Sequence, residues 1–145
     1  MMSVPVADSA APRLQVLHVD DDPLNLRVVH DILLAFGHVG YQAASGSAAL
    51  EQLSARIFDV VLLDIHMPGM GGIELARRIR ASVGPERRTP LVAVTADAFS
   101  RNRQDYLNLG FQEFVTKPIL VSRFAEVLLQ VTAPIRAAEI LRRSA

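Results

Sequence analysis

The chain has 145 residues, of which half are hydrophobic and 21% are charged, and it contains no cysteine. This length allows one domain with a single core, and the apolar content excludes an intrinsically disordered chain. The lack of cysteine excludes disulfides and thiol chemistry, and no apolar stretch is long enough to span a membrane. We therefore expect a soluble, cytoplasmic protein without membrane contacts.

The net charge of zero conceals an uneven distribution along the chain. Residues 1–75 contain nine Asp and Glu against three Arg, a balance of −6, whereas residues 76–145 contain six against twelve basic residues, a balance of +6. The acidic half is compatible with a cation site. The basic half is compatible with a docking face, and equally with ordinary solvated helix surfaces.

Hydrophobic periodicity predicts five strands that alternate with five helices. A leader over 1–13, rich in Ala and Pro, is expected to be disordered. The elements predicted after it are, in chain order, strand 14–19, helix 23–36, strand 39–43, helix 47–56, strand 59–64, helix 72–83, strand 91–95, helix 99–109, strand 114–116 and helix 119–131. The alternation predicts an α/β domain over 14–131, in which helices cover both faces of a parallel sheet. A short helical or frayed extension is expected over 132–145.

Cap and stop residues mark several of the predicted helix ends. Asp22 and Pro23 are favoured at the N-cap and the first helical position, and Ser45 or Ser47 is expected to cap the second helix. Gly37 is expected to end the first helix, because glycine tolerates the left-handed conformation common at that point.

Reactive side chains follow four of the five predicted strands. The run 60–63 is apolar throughout, which is typical of a strand buried on both faces, and it leads to Asp64. The other strand ends deliver Asp20, Asp21, Asp22, Thr95 and Lys117. Carboxylates, a hydroxyl and an ammonium at one edge of a sheet are suited to handling a phosphoryl group on Mg²⁺. The acidic run alone is equally compatible with a solvated turn.

Four motifs resemble, in order and spacing, the signature of the response-regulator receiver domain of two-component signalling. They are Leu17-His18-Val19-Asp20-Asp21-Asp22-Pro23, Leu63-Asp64-Ile65-His66-Met67-Pro68, Val94-Thr95-Ala96 and Phe114-Val115-Thr116-Lys117-Pro118. The resemblance covers about 14–131 and implies a chemotaxis-type, flavodoxin-like fold: a doubly wound, five-stranded parallel sheet of order 2-1-3-4-5. Asn25 and the run 94–98 are most similar to receivers of hybrid histidine kinases or phosphorelays.

The resemblance also implies a role for each acidic residue of the site. Asp64 would be the phosphoacceptor, taking a phosphoryl group from a phosphohistidine. Asp21, Asp64 and the main-chain carbonyl of His66 would hold Mg²⁺, with Mn²⁺ as an alternative, and Asp20 would act through a water. Such a domain is a signalling phosphoacceptor, which catalyses only its own phosphorylation and dephosphorylation.

The resemblance implies that a second group of residues binds the phosphoryl group and changes conformation in response to it. Lys117 would pair with a phosphoryl oxygen, and Thr95, with Ala96 beside it, would bind the group and move inward. Phe114 would then rotate and change the face formed by helix 4, strand 5 and helix 5. Phe114 replaces a tyrosine common in the family, so the readout would be steric. Gly71 replaces a common Asp, with little expected effect because glycine also caps helices acceptably.

The implied partners are a histidine kinase or histidine phosphotransfer protein and a downstream target on the helix 4–strand 5–helix 5 face. No direct nucleic-acid contact is expected, and a homodimer is left open. The basic residues near this face, which are candidates for partner selection or simply solvated charges, are Arg101, Arg103 and Arg123.

His66 and Asp97 each lie two residues beyond a site residue, Asp64 and Thr95 respectively. We hypothesise that a hydrogen bond between them partly covers the phosphoryl group and sets the lifetime of the acyl phosphate. Two exposed side chains that never meet are an equally good interpretation.

Two other classes of protein fit part of the pattern. A haloacid-dehalogenase-like phosphatase would use Asp20 as nucleophile and Asp22 as acid/base, but it would leave Asp64 without a role. A receiver-like interaction module that never carries phosphate is the second alternative. A Rossmann-type dinucleotide site is excluded because no glycine-rich turn follows the first strand.

Overall fold

The computed structural model describes residues 13–134 and Leu141. The strands are β1 Gln15–Val19, β2 Val39–Ala43, β3 Val60–Asp64, β4 Leu91–Thr95 and β5 Glu113–Thr116. The α-helices are α1 Pro23–Ala35, α2 Gly46–Ala55, α3 Gly72–Ala81, α4 Arg103–Asn108 and α5 Val121–Val131. A 3₁₀-helix, Pro85–Arg88, lies between α3 and β4, in a segment where the sequence predicts no helix or strand.

The five strands form one parallel sheet in the order β2-β1-β3-β4-β5. The predicted doubly wound, flavodoxin-like α/β fold is therefore confirmed. In the register of the sheet, Val19 lies beside Leu63, and Asp64 lies beside Val94. The carboxyl ends of β1, β3 and β4 therefore meet at one edge of the sheet, which is where this class of fold places its ligands.

Apolar side chains bury both faces of the sheet. On one face α2, α3 and α4 pack on β-strand residues such as Leu17, Leu63 and Ala93. On the other face α1 and α5 pack on residues such as Val16, Leu62 and Val94. Neighbouring residues of a strand point to opposite faces of the sheet. Since helices cover both faces, every residue of β3 is buried, as its continuous apolar run predicts.

The predicted helix signals at the start of α1 and α2 are confirmed. The Asp22 carboxylate accepts the N–H of Leu24 at 2.9 Å, and Pro23 occupies the first helical position. Ser45, one of the two predicted caps of α2, accepts the N–H of Ala48 at 3.1 Å. Gly37 follows α1 with φ +82°, a left-handed conformation that suits glycine.

Helix α4 begins at Arg103, four residues later than the predicted start at 99. The cause is a capping box: Asn102 accepts the N–H of Asp105 at 2.9 Å, and the Asp105 carboxylate accepts the N–H of Asn102 at 2.8 Å. Upstream, the Asp97 carboxylate accepts two backbone N–H groups and holds the chain in a turn. Local side-chain bonds thus replace the first turn of the predicted helix.

Two predictions concern the ends of the chain. The disordered leader over 1–13 lies outside the described residues except for Arg13, and most of the extension over 132–145 lies outside them too. Both stay predictions, as do the limits 14–131 of the domain. Within 13–134 and at Leu141, no helix combines the length and apolarity needed to cross a membrane.

Candidate functional site

The residues expected at the site come together at the carboxyl edge of the sheet. One carboxylate oxygen of each of Asp20, Asp21 and Asp64 lies within 4.8 Å of the others. Asp20 and Asp64 are buried, at 0% and 3% exposure, whereas Asp21 is exposed. Buried like charges repel one another and are costly to desolvate, so this arrangement calls for a positive partner.

Lys117, which follows β5, supplies part of that positive charge. Its Nζ lies 3.3 Å from Oδ2 of Asp20 and 3.3 Å from Oδ2 of Asp64, and its peptide bond to Pro118 is cis. Burial lowers the pKa of Lys117, but the carboxylates of Asp64 and Asp20 outweigh burial and raise it. The ammonium therefore stays protonated and bridges the two buried acids.

The pKa of the Asp64 carboxyl is raised, first by burial and second by the charge of Asp20. Lys117 and the N–H of His66, which donates to Oδ1 of Asp64 at 3.2 Å, oppose the rise. The three carboxylates of the cluster and the single ammonium carry a balance of −2. A hard divalent cation such as Mg²⁺, which takes oxygen ligands, fits both this charge and this donor set.

Asn25 contacts the site, which the sequence does not predict. In the sequence Asn25 indicates only a resemblance to hybrid-kinase receivers, but the Asn25 side-chain amide donates to Oδ2 of Asp20 at 3.2 Å. The N–H of Asp22 donates to the other oxygen, Oδ1, at 2.9 Å. Since α1 begins directly after the acidic run, an asparagine in its first turn can reach back to the strand end. Asn25 and Asp22 thus orient the buried carboxylate.

His18 lies behind Asp20 and is buried, as expected for a core strand position. Its Nε2 is 3.9 Å from Oδ2 of Asp20, and neither ring nitrogen has a hydrogen-bond partner among the described residues. Burial lowers the pKa of His18 to about 4, more than Asp20 raises it. The imidazole is therefore neutral at pH 7, and its approach to Asp20 is not an ion pair.

Gly71 and Gly72 bring the start of α3 against the end of β3. A Cβ at Gly72 would overlap the carbonyl oxygen of Asp64 and lie 3.0 Å from its carbonyl carbon. A Cβ at Gly71 would lie 2.9 Å from the carbonyl oxygen of Ile65. Only glycine allows the start of α3 to lie this close to the end of β3. The contact restricts movement of the Asp64 backbone.

The expected switch residues lie on β4 and β5. Thr95 is buried, and its hydroxyl accepts the N–H of Asp97 at 3.0 Å. The ring of Phe114 is half-buried and stacks on Tyr106 of α4, with 4.9 Å between ring centroids. Ala96, immediately after β4, is exposed.

The hydrogen bond hypothesised between His66 and Asp97 is not formed. His66 is exposed, and the Asp97 carboxylate is instead occupied by the N–H groups of Phe99 and Ser100, at 2.9 and 3.0 Å, and by the Ser100 hydroxyl. These bonds, the Ser100 hydroxyl foremost, lower the pKa of Asp97. The turn before α4 therefore competes successfully for this carboxylate.

A family model decides what this combination of fold and site represents. The model for the response regulator receiver domain matches residues 16–129 of the chain. The chain belongs to the response regulator receiver family. Receiver domains bind Mg²⁺ at an acidic pocket, which agrees with the cluster of Asp20, Asp21 and Asp64.

The receiver domain is similar to parts of larger sensor proteins. It is 37% identical over 130 residues to the sensor protein GacS of Pseudomonas syringae pv. syringae, covering 88% of this chain and 14% of that protein. It is 38% identical over 114 residues to the aerobic respiration control sensor protein ArcB of Escherichia coli K12, covering 79% and 14%. The chain thus spans 14% of the length of these curated relatives.

Solved structures agree with this receiver fold. The chemotaxis protein CheY4 of Vibrio cholerae is 27% identical, with a TM-score of 0.76 and coverage of 83% of this chain and 99% of that one. The receiver domain of the sensor histidine kinase PA1611 of Pseudomonas aeruginosa PAO1 is also 27% identical, with a TM-score of 0.75 and coverage of 84% and 99%. That structure has a magnesium ion coordinated in its active-site cleft.

Proposed function

We propose that this receiver domain is the phosphoacceptor of a two-component phosphorelay and that Asp64 carries the phosphoryl group. The observation that supports this most is the pairing of Asp64 with Lys117 inside a cluster of three carboxylates. The phosphatase alternative would give Asp64 no role, although Asp64 ends the fully buried central strand and Lys117 pairs with it.

In the proposed reaction, a carboxylate oxygen of Asp64 attacks the phosphorus of a phosphohistidine. The P–N bond breaks, the electron pair stays on the departing imidazole nitrogen, and an aspartyl phosphate forms. When bound, Mg²⁺ or Mn²⁺ neutralises the carboxylates and the developing charge on the phosphoryl oxygens. Asp21, Asp64 and the carbonyl of His66 would hold the ion directly, and Asp20 would hold it through a water. Lys117 leaves Asp20 and pairs with a phosphoryl oxygen.

The proposed output is a change at the face formed by α4, β5 and α5. The Thr95 hydroxyl exchanges its bond to the N–H of Asp97 for a bond to the phosphoryl group, next to the N–H of Ala96. The inward movement of Thr95 opens space for Phe114, whose ring then leaves Tyr106. The ring of Phe114 carries no hydroxyl, so the readout is steric rather than a new hydrogen bond.

The proposed partners follow from the relatives, which are sensor proteins and histidine kinases. Receivers of hybrid kinases interact with histidine kinase or histidine phosphotransfer partners, and we propose the same phosphodonors for this chain. A downstream target would bind the α4–β5–α5 face, and homodimerisation is left open. Cytoplasmic placement of the domain is part of the same proposal.

The lifetime of the phosphoryl group is proposed to depend on His66 and Asp97 without a direct bond between them. His66 is exposed and its N–H donates to Asp64, and the Asp97 carboxylate is held by its own turn. Comparing phosphate loss from wild type and His66→Ala tests this role, and equal rates would exclude it.

Intact-mass measurement after incubation with acetyl phosphate and Mg²⁺ tests the proposed function. Wild type should gain one phosphoryl mass, and Asp64→Ala should gain none. If neither protein gains mass while calorimetry shows that Mg²⁺ binds, the domain acts instead as a phosphorylation-independent interaction module. A gain that survives Asp64→Ala and vanishes in Asp20→Ala would indicate the phosphatase chemistry.

A further inference from the structure

A buried carboxylate away from the phosphorylation site has two cationic partners. Glu113, the first residue of β5, is 4% exposed. Its Oε2 lies 3.3 Å from Nε of Arg103 in α4, and its Oε1 lies 3.4 Å from Nη2 of Arg123 in α5. Since β5 is an edge strand with α4 on one face and α5 on the other, this cluster ties three elements together.

The same cluster holds the backbone of the expected switch residue. The N–H of Phe114 donates to Oε1 of Glu113 at 3.1 Å, and Nη2 of Arg123 donates to the carbonyl of Phe114 at 3.2 Å. The ring of Phe114 meanwhile stacks on Tyr106 of α4. The backbone of Phe114 is therefore bonded to α5 through Arg123, and its ring is packed against α4 through Tyr106.

Helix α4 depends strongly on such tertiary contacts. It has six residues, well below the roughly 12 to 15 at which an isolated helix becomes marginally stable. Arg103 is its first residue, where a cation opposes the helix dipole, and the pairing with Glu113 offsets that effect. The other anchors of α4 are its capping box and the buried side chain of Tyr106.

The two arginines that pair with Glu113 differ in exposure. The side chain of Arg103 is 64% exposed, whereas that of Arg123 is 37% exposed. A carboxylate with two guanidinium partners can release one of them without becoming an unpaired buried charge, which would be strongly unfavourable. The Arg103–Glu113 ion pair can therefore break while Arg123 continues to neutralise Glu113.

We propose that Glu113 is the positioning residue of the α4–β5–α5 face. Its carboxylate holds α4, α5 and the backbone of Phe114 in the resting arrangement, and the Arg103–Glu113 pair opens when Asp64 is phosphorylated. This inference rests on the proposed function. It also changes the interpretation of Arg103 and Arg123, because both are bound within the domain in the resting state rather than displayed for partner selection.

Amide hydrogen exchange of α4 in the full chain tests the resting arrangement. Arg103→Gln and Glu113→Gln should speed exchange in α4 by roughly fivefold, the effect of losing one partly exposed ion pair on local opening. The double variant should exchange no faster than Glu113→Gln alone, and Arg103→Lys should restore the slow rate. Arg101→Gln, two residues before α4, is the matched control, since Arg101 makes no hydrogen bond or ion pair with the described residues.

Two results would overturn the resting arrangement: Arg103→Gln behaving like Arg101→Gln, or the effects of Arg103→Gln and Glu113→Gln adding in the double variant. If Glu113→Gln does not fold, Arg103→Gln at its more exposed position still decides the question against Arg103→Lys and Arg101→Gln.

The switching role is tested by repeating the measurement with Mg²⁺ and acetyl phosphate, with intact mass recorded in parallel. Phosphorylated wild type should exchange in α4 as fast as unphosphorylated Arg103→Gln, and that variant should change little on phosphorylation. If Asp64 gains the phosphoryl group but wild-type α4 keeps its slow exchange, the switching role is wrong and the proposed function stands. If no phosphoryl group is gained, the proposed function fails and the switching role fails with it.

Discussion

Lys117 and Asp64 face each other across the carboxyl ends of β5 and β3, with Nζ and Oδ2 3.3 Å apart. The same ammonium lies 3.3 Å from Oδ2 of Asp20. Lys117 thus competes with a divalent cation for the carboxylates, although it is also the group expected to bind the phosphoryl oxygen. The resting site is held together by a side chain that must change partners during the proposed reaction.

Lys117→Met should separate these two roles. Because the variant removes a competing charge that lies 3.3 Å from the carboxylates of Asp20 and Asp64, Mg²⁺ should bind roughly threefold to tenfold more tightly. Phosphorylation by acetyl phosphate should slow by at least about tenfold, because the phosphoryl oxygens lose a charged partner. Calorimetric titration with Mg²⁺ and the rate of mass gain measure the two effects. Weaker Mg²⁺ binding in Lys117→Met than in wild type would refute the competition.

Asp64→Asn should stabilise the domain in the absence of a divalent cation. The pKa of Asp64 is raised in the folded state, so the folded state binds more protons than the unfolded state above the usual pKa, and ionisation at neutral pH costs stability. An uncharged amide avoids that cost. Denaturant unfolding in EDTA at pH 7 should show a gain of roughly 0.5–2 kcal/mol, within the usual range for one substitution.

The same comparison at acid pH provides the control for Asp64→Asn. The advantage of the variant should shrink as the pH falls below the raised pKa, where Asp64 is protonated in the folded protein. A variant that is less stable than wild type at pH 7 would show that the bond to Lys117 outweighs burial and the charge of Asp20.

Gly72→Ala should weaken both the fold and the site. The new methyl group would overlap the carbonyl oxygen of Asp64, so α3 must move away from β3, at a cost of about 1–3 kcal/mol. Gly69→Asn is a suitable control, because a Cβ at Gly69 meets nothing within 4 Å and asparagine tolerates its φ of +76° better than most residues. Thermal unfolding and Mg²⁺ titration of both variants measure the effect. Equal behaviour of the two would exclude the close approach.

His18 should make the fold less stable at acid pH. Its pKa is lowered from 6.5 to about 4 in the folded state, so the unfolded state binds more protons between these values and stability falls as the pH drops through this window. The loss amounts to about 3 kcal/mol below pH 4, where the folded and the unfolded forms are both protonated. His18→Leu should flatten this part of the stability profile and change stability little at pH 7, since the imidazole has no hydrogen-bond partner within 13–134.

NMR titration of the imidazole signals measures the pKa of His18 directly. The His18 signal should remain that of a neutral ring down to about pH 4. Titration of His18 near pH 6.5 would contradict the prediction that burial of the imidazole lowers its pKa.

The sequence predicts the strand ends better than it predicts the contacts between them. Apolar runs before Asp20, Asp64 and Thr95 place these residues at the edge of a parallel sheet, because the periodicity of each strand is local information. The start of α4 was missed because the bonds of Asn102 and Asp97 override hydrophobic periodicity. The pairing of Glu113 was missed because it depends on which helices flank the edge strand, a long-range property of the fold.

The central claim is that Asp64 is the phosphoacceptor, and chemical mapping of the acyl phosphate tests it most directly. The receiver domain is incubated with acetyl phosphate and Mg²⁺, reduced with borohydride, and digested, and the reduced residue is located by mass spectrometry of the peptides. The proposal predicts reduction at Asp64 alone, dependent on Mg²⁺ and on acetyl phosphate. Reduction at Asp20, or no reduced residue in a domain that binds Mg²⁺, would contradict it.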